Sequence, residues 1–258
     1  WCYPMDVNPD LVVPMTEAAI VIPIHKYILN SNEVVSLKRC FEAFAGWPVI
    51  LAFRGHLDVV PFAAYGRFHQ VVRFPDRFFA SEKGYNTLLC RSLFYEQFRS
   101  FSHILIYQLD TFVFTNNLEE WCAAGYDYIG APWLRSTWLE EWFARHRFFR
   151  LFRKRFNPVG NGGLSLRNVR SSLRACRRLR PFAGLFRHED FFWSNVVPRL
   201  VRSFRTAPPD RALAFAFEEH PRELYALNGN RLPFGCHSWE KYGTDFWREQ
   251  FRKYGYTI

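Results

Sequence analysis

The sequence lacks closely spaced cysteines. Zinc sites and disulfide frameworks are built from paired or clustered cysteines, and no C-x-x-C unit is present here. This spacing argues against a zinc site and favours a reduced, cytoplasmic protein. The six cysteines are scattered along the 258 residues, at Cys2, Cys40, Cys90, Cys122, Cys176 and Cys236.

Long apolar runs are also missing. No stretch approaches the roughly 18 to 20 apolar residues that a membrane-spanning helix needs. Residues 1–14 carry Asp6 and Asp10, and they lack the basic start and apolar centre of a signal peptide. Because Met15 could be a natural start, we expect residues 1–14 to be a leader or the tail of something upstream. Peripheral attachment to a membrane surface stays open.

Two glycine-rich phosphate-binding motifs are absent. Neither G-x-x-x-x-G-K-S/T nor G-x-G-x-x-G occurs in the chain. The first motif forms the phosphate-binding loop of P-loop nucleoside triphosphatases, and the second opens the dinucleotide-binding unit of many dehydrogenases. The sequence therefore offers no support for either class.

The composition is that of a globular protein with ample core material. Hydrophobic residues make up 49% and aromatic residues 19%, with 28 Phe. The net charge of +10 favours polyanionic partners such as nucleic acid, anionic lipid or phosphorylated sugars. Residues 138–156 are aromatic and basic, which predicts either a core-packed helix with a solvated basic side or an interfacial, acceptor-docking helix.

Strand-like and helix-like patterns alternate along the first 114 residues. Short apolar runs predict buried strands, and apolar residues at spacings of three and four predict helices. The alternation indicates βαβ units and a mostly parallel sheet. The predicted strands are residues 18–24, 49–53, 68–74, 104–107, 126–133 and 212–217, and the predicted helices are residues 32–44, 83–101, 138–156, 169–179 and 191–201.

Asp110 ends the apolar run of residues 104–107 and has apolar neighbours on both sides. A carboxylate in such surroundings is costly unless it is paired, hydrogen-bonded or bound to a metal. In open α/β sheets, ligands bind outside the carboxyl ends of the strands, where Asp110 would fall. The residue is therefore a candidate ligand, although it could also cap the following turn.

Three further features stand in order along the chain. Residues 159–168 predict a turn that runs into a strand, and the glycines at 160–163 could form a plain hairpin or a place of close approach to a ligand. Glu189 and Asp190 are paired acids at the start of a predicted helix, where acids also serve as caps. His237 lies near the end of the chain and could be either a metal ligand or a loop histidine that only packs against the protein.

Together these features resemble the GT-A glycosyltransferases, which use nucleotide-sugar donors. The closer resemblance is to a poorly characterised family of GT-A-like proteins with four shared signatures, spanning residues 18–239. It implies a single GT-A-like α/β domain over residues 15–258, with a nucleotide-binding half, 15–114, and a smaller acceptor and catalytic half, 115–258. The signatures are Gln-Leu-Asp at 108–110, Gly-Ala-Pro-Trp at 130–133, Gly-Asn-Gly-Gly-x-Ser-Leu-Arg at 160–167 and Pro-Phe-Gly-Cys-His-x-Trp at 233–239.

By this resemblance, Asp110 and His237 hold a Mn²⁺ or Mg²⁺ ion that neutralises the leaving nucleotide diphosphate. The usual Asp-x-Asp is reduced to Gln108-Leu109-Asp110, so Gln108 is expected at the ribose. Asp190 would be the base of an inverting transfer, with Glu189 holding the acceptor.

The resemblance also implies the residues that contact the substrates. The donor is expected to be a UDP-sugar, and the acceptor an anionic, lipid-linked or other polyanionic glycan, with nucleic acid not excluded. Lys83 could equally be a solvated surface charge, and Trp133 could merely pack. The nucleotide-sugar contacts would be Pro23, His25, Lys83, Tyr85, Asn86, Gln108, Leu109, Gly162 and Gly163, and the acceptor contacts Trp133, Asn161 and Trp239.

Two other classes stay open. Carboxylates and a basic charge are also found in metal-dependent nucleases, although these usually cluster several acids around two ions. A basic module that binds nucleic acid or a membrane surface would explain the charge and the stretch 138–156, but not the acids and His237.

Overall fold

The computed structural model describes residues 16–26, 28–55, 58–133, 157–182 and 188–258. The expectations for residues 1–14 and for the basic stretch 138–156 lie outside the described residues. No helix in the described ranges is both long and apolar enough to cross a membrane.

Six strands form a central sheet in the order β3-β2-β1-β4-β7-β6. The first four strands pair in parallel, whereas β7 runs antiparallel to both β4 and β6. The predicted α/β class with a mostly parallel central sheet is therefore confirmed. The strands are β1 Thr16–Ile24, β2 Val49–Arg54, β3 Gln70–Phe74, β4 Phe101–Tyr107, β6 Tyr128–Pro132 and β7 Val159–Asn168.

Both faces of this sheet are buried, as expected for parallel strands covered by helices. Along β1, Ile20 and Ile22 pack with Leu37 of one helix, whereas Val21 packs on the other side with Leu88 and Leu173. Alternate side chains of a strand point to opposite faces, so a continuous apolar run fills two cores. The sheet takes β1 to β4 from the first predicted half and β6 and β7 from the second.

A second, three-stranded sheet has the order β5-β9-β8. Its strands are β5 Phe112–Val113, β8 Ala216–Phe217 and β9 Gly235–Cys236. An aromatic cluster that includes Phe112, Trp247 and Phe251 packs against it. The Phe112 and Phe251 rings are stacked with centroids 3.9 Å apart. This packing holds strands that are too short to be stable alone.

Three of the predicted helices, those over residues 32–44, 169–179 and 191–201, have helical counterparts in the structure. The first begins after Asn30, whose side chain accepts from Glu33 N while the Glu33 side chain accepts from Asn30 N, a capping box. Short 3₁₀ turns occur at Val60–Phe62, Asp76–Phe78 and Arg180–Phe182. The helices are Ser31–Ala43, Glu82–Leu89, Ser92–Glu96, Leu118–Ala123, Val169–Arg178, the contiguous Glu189–Phe191, π-helical Phe192–Val196 and Val197–Leu200, and then Pro209–Phe215, Pro221–Leu227 and Thr244–Arg252.

The prediction of one helix over residues 83–101 is wrong. The chain leaves the helix at Cys90, takes an extended conformation at Arg91 and forms a second short helix. The Leu89 carbonyl is buried at this break and accepts from Tyr95 Oη at 2.9 Å and Trp193 Nε1 at 3.2 Å. Side chains thus replace the backbone donors that a continued helix would have supplied.

Two further predictions need correction. Residues 212–217 were expected to be a strand, but most of them belong to the helix Pro209–Phe215, which begins with the proline that suits a first helical turn. The glycines of residues 160–163 were expected to form a turn, but they lie inside β7. Pairing with β6 is irregular there, and Gly160 has φ +150°, a conformation that glycine tolerates.

Candidate active site

A cleft of about 550 Å³ opens at the carboxyl ends of β1 and β4. Residues 23–25, which end or follow β1, and residues 108–110, which follow β4, line one side of it. Because β1 and β4 are adjacent and parallel, their carboxyl ends meet at the same edge. This edge is where open α/β sheets bind ligands.

The small sheet brings three ionisable side chains into one row. β9 pairs antiparallel with β5, with Phe112 opposite Cys236, and parallel with β8, with Phe217 opposite Cys236. Continuing these pairings by one residue places His237 beside Glu218 on one side. On the other side, the antiparallel pairing brings residues 110–111 alongside His237. Asp110, His237 and Glu218 therefore meet although they are far apart in the sequence.

The two ring nitrogens of His237 face different groups. Nε2 lies 3.0 Å from Asp110 Oδ1 and 3.1 Å from Gln108 Oε1. Nδ1 lies 3.4 Å from Glu218 Oε1 and 3.2 Å from Ser238 Oγ. The Ser238 hydroxyl also donates to Asp110 Oδ2 at 3.4 Å. His237 itself is buried, so these groups replace water around the ring.

Burial and the interaction between His237 and Asp110 both change the pKa values of these two groups. Burial works against a charged imidazole, but the Asp110 carboxylate outweighs it and raises the pKa of His237 to about 10. Burial would likewise raise the pKa of Asp110, but the charge and hydrogen bond of His237 hold it below its ordinary value. A cation that binds at Nε2 must therefore displace a proton.

The donor set at Nε2 fits a hard divalent cation. Asp110 and Gln108 offer oxygen atoms, and His237 offers a nitrogen. An octahedral ion with ligands at about 2.1 Å has adjacent ligands about 3.0 Å apart, close to the separations found here. Among the described residues no three His, Cys, Asp or Glu side chains form a metal-binding group. The Gln108 amide would therefore be needed as a third ligand, in addition to the ribose role expected for it.

Gly162 and Gly163 lie between this cluster and a second charged centre. A Cβ at Gly163 would come 1.9 Å from His237 Nε2, and a Cβ at Gly162 would come 1.8 Å from Glu189 Oε1. Neither contact is possible, so both positions exclude a side chain. The absence of side chains at these two adjacent positions lets His237 and Glu189 both approach the β7 backbone closely.

The second centre is a buried ion pair between Arg167 and Glu189. Arg167 is fully buried, and its Nη2 donates to Glu189 Oε1 at 2.9 Å. The remaining donors reach Tyr95 Oη and Ser165 Oγ, both at 3.0 Å. Glu189 Oε2 is buried and has no hydrogen-bond partner among the described residues. The pair therefore leaves one carboxylate oxygen without a partner.

Asp190 follows directly and is half-buried at the start of a helix. Its Oδ1 accepts from Phe191 N at 2.8 Å. Burial, together with the nearby Glu189 carboxylate, raises the pKa of Asp190 well above its ordinary value. A carboxyl group with a raised pKa is suited to taking up a proton near neutral pH.

The cleft includes many, but not all, of the residues predicted to contact the donor. Lys83, Asn86, Gly162 and Gly163 are not among the lining residues, and Lys83 lies on the exposed side of its helix. Two other cations, Lys26 and Lys241, line the cleft instead. Lys26 is paired with Glu33 at 2.7 Å. The predicted residues that do line the cleft are Pro23, His25, Tyr85, Gln108, Leu109 and Asp110.

The residues predicted to contact the acceptor are not brought to the cleft. Trp133 is buried at the end of β6, and its backbone N–H donates to Pro158 O at 2.8 Å. Trp239 is fully buried, and its ring packs edge-on against Phe251. Asn161 is half-buried, and its Oδ1 accepts from Gly163 N at 3.2 Å. Their acceptor roles stay predictions.

Sequence reasoning missed four residues of this region: Glu218, Arg167, Lys26 and Lys241. Arg167 ends the Gly-Asn-Gly-Gly-x-Ser-Leu-Arg signature, and its place in a buried strand was a signal that an acid must be near. Glu218 follows an apolar run and directly precedes a second acid, Glu219. Two adjacent acids are usually interpreted as solvent-exposed charges, so the sequence did not single out Glu218. For the two lysines no sequence signal distinguished them from solvated charges.

Comparison with protein-family models identifies the family. Residues 68–237 match the model described as a protein of unknown function, DUF5672, and the match covers more than half of the chain. The chain therefore belongs to this family. No curated protein sequence matches the chain.

Among solved structures, several glycosyltransferases are similar in fold at low identity. Core-mannan synthase A from Aspergillus fumigatus, in its Mn/GDP form, has a TM-score of 0.47 at 8% identity, with 67% of this chain covered. The match spans 66% of the synthase chain, just under two thirds of its length. Mouse xyloside xylosyltransferase 1 has a TM-score of 0.47 at 12% identity, with 86% and 97% covered. A glycosyltransferase involved in glycosylation of the major capsid of PBCV-1 has a TM-score of 0.45 at 14% identity, with 86% and 93% covered. At these scores the likeness carries no argument about residues or substrates.

Proposed function

We propose that this protein is a metal-dependent glycosyltransferase that moves a sugar from a nucleotide-diphosphate sugar to an acceptor hydroxyl, with inversion at the anomeric carbon. One observation carries the proposal. Asp110 Oδ1 and Gln108 Oε1 lie 3.0 Å and 3.1 Å from His237 Nε2, beside a cleft at the carboxyl ends of parallel strands. A nucleotide diphosphate needs such a cleft and such an oxygen-rich donor set.

In this proposal Asp110 and His237 hold Mn²⁺ or Mg²⁺, and Gln108 adds an amide oxygen. When bound, the ion supplies Lewis-acid neutralisation of the departing diphosphate. Lys241 lies in the same cleft and would face the phosphates, whereas Lys26 is paired with Glu33. His25, Tyr85 and the backbone of residues 23–25 and 108–110 would contact the nucleoside, with a UDP-sugar as the first donor to test.

The acidic pair would act on the acceptor. Asp190 would take the proton of the attacking hydroxyl, supported by its raised pKa. Glu189 would hold the acceptor through Oε2, since Oε1 is used by Arg167. The acceptor is proposed to be an anionic or lipid-linked glycan, on the net charge of +10.

The Asp190→Asn variant should lose transfer rate by about 10² to 10⁴-fold, because a general base typically contributes that much. Donor binding should change little, since Asp190 is not among the residues that line the cleft. Steady-state rates and calorimetric UDP affinity measure the two effects separately. If Glu189→Gln is inactive and Asp190→Asn is near wild type, the two acids have exchanged roles.

The decisive experiment measures melting temperature with nucleotides and metal. We expect UDP or GDP with Mn²⁺ to stabilise the protein, by about 2.7 kcal/mol when the ligand is present at 100 times its Kd. The shift should disappear with EDTA. Uridine is the matched control, since it has the base and ribose but no phosphates to bridge to a metal.

The same assay tests the other classes. A shift with a DNA oligonucleotide and none with UDP would favour a nucleic-acid-binding module, and metal-dependent cleavage of that oligonucleotide would favour a nuclease. A donor screen for hydrolysis of nucleotide sugars would then identify the sugar. A product that retains the donor's anomeric configuration would contradict the inverting mechanism.

A further inference from the structure

Glu218 is buried beside His237 but on the side of the ring that faces away from Asp110. Its Oε1 lies 3.4 Å from His237 Nδ1, which Ser238 Oγ also approaches at 3.2 Å, whereas Asp110 Oδ1 lies 3.0 Å from Nε2. Glu218 is 8% exposed, and its Oε2 has no hydrogen-bond partner among the described residues. The carboxylate therefore has His237 as a side-chain partner and little solvent to stabilise its charge.

The fold keeps this contact in place. Glu218 follows β8 and His237 follows β9, and these strands pair in parallel with Phe217 opposite Cys236. The backbone N–H of His237 donates to the backbone carbonyl of Phe217 at 3.0 Å, which continues the strand pairing. Both side chains therefore leave from adjacent backbone positions, and the relation between them does not depend on a long loop.

We propose that Glu218 is a positioning residue for the metal site: its carboxylate contacts His237 Nδ1 and fixes the ring so that Nε2 is the nitrogen directed at Asp110 and Gln108, where a cation would take the place of the Nε2 proton. This inference rests on the proposed function. A histidine ligand that donates its second ring N–H to a carboxylate has a fixed tautomer and orientation and is a more basic ligand. Glu218 cannot itself reach the ion bound at Nε2, because it faces the opposite nitrogen.

Glu218→Gln tests the inference, because it keeps the size of the side chain and removes its charge. We expect Mn²⁺ affinity in the presence of UDP, measured by electron paramagnetic resonance of free Mn²⁺, to fall by about 10 to 100-fold, the range found when such partners are changed. UDP affinity without metal should stay the same. The matched control is Glu219→Gln, the same charge change one residue further, where the carboxylate is hydrogen-bonded to Tyr242.

The outcomes separate this inference from the proposed function. Equal Mn²⁺ affinity in wild type and Glu218→Gln would overturn the role of Glu218 and leave the glycosyltransferase proposal standing. If the wild type binds no Mn²⁺ with UDP or GDP, both proposals fail. A fall that is equally large in Glu219→Gln would also overturn the inference, since it would reflect net charge rather than position.

A second measurement needs no Glu218 variant and covers the case in which that variant does not fold. In ¹⁵N spectra of the histidine rings of the wild-type protein with UDP, addition of diamagnetic Mg²⁺ or Zn²⁺ should remove the Nε2 proton of His237. Nδ1–H should remain, and the signal is assigned by its loss in His237→Asn. Loss of the Nδ1 proton instead would overturn the inference.

Discussion

Asp110→Asn is expected to abolish transfer and to weaken metal-dependent UDP binding by at least about 100-fold. An amide cannot supply the negative charge that a divalent cation requires, and metal coordination contributes several kcal/mol, where each 1.4 kcal/mol is tenfold in affinity. Calorimetry of UDP with Mn²⁺ and with EDTA measures the loss. The melting temperature without metal should change by only a few degrees, because Asp110 is half-buried and Ser238 can still hydrogen-bond to the amide oxygen.

The control for this variant is Asp210→Asn, an exposed acid in the first turn of another helix. It makes the same chemical change away from the cleft and should leave UDP affinity as in wild type. Normal transfer by Asp110→Asn with unchanged melting would contradict the assignment of Asp110 to the metal.

The second large effect concerns stability. Arg167→Met should lower the free energy of unfolding by about 3–5 kcal/mol, because it leaves the buried Glu189 carboxylate without its partner. Arg167 also donates to Tyr95 and Ser165, so further buried oxygens lose their donors. Urea unfolding followed by tryptophan fluorescence measures the change. Arg170→Met, an exposed basic residue three positions later, is the control and should stay within about 0.5 kcal/mol of wild type.

The double variant Arg167→Met with Glu189→Leu tests the cause. Replacing both members of a buried ion pair by apolar residues is often neutral or stabilising, so much of the lost stability should return. If the double variant is as unstable as the sum of the single variants, the loss comes from packing around Arg167 and not from the unpaired acid. Activity is expected to stay lost, because Glu189 is proposed to hold the acceptor.

The four parallel strands β1 to β4 could be predicted because each contains a short apolar run. Asp110 could be predicted as a site residue for the same reason: a strand that ends in an acid places it at the ligand-binding edge. The break within the helix predicted over residues 83–101 could not be predicted. The apolar spacing continues through Arg91, whereas the break depends on hydrogen bonds from Tyr95 and Trp193 to the Leu89 carbonyl. That information lies in tertiary contacts.

The row formed by Asp110, His237 and Glu218 was only partly predictable. Strands of two residues, such as β8 and β9, have no periodicity to detect, so the pairing that brings Glu218 to His237 leaves no local signal. The strand expected at residues 212–217 shows the same limit, since its apolar run fits a helix equally well. Trp239 shows a different limit. It lies within a signature that suggested a site residue, but its side chain is fully buried in the core.

The two glycines of β7 also restrict how this site could be altered. Substrate pockets are usually enlarged by shortening a side chain, but at Gly162 and Gly163 there is no side chain to shorten, and an added one would collide with His237 or Glu189. β7 is an inner strand, held between β4 and β6, so its backbone cannot retreat without disturbing the sheet. Any change in the space beside His237 or Glu189 must therefore be made in elements other than β7.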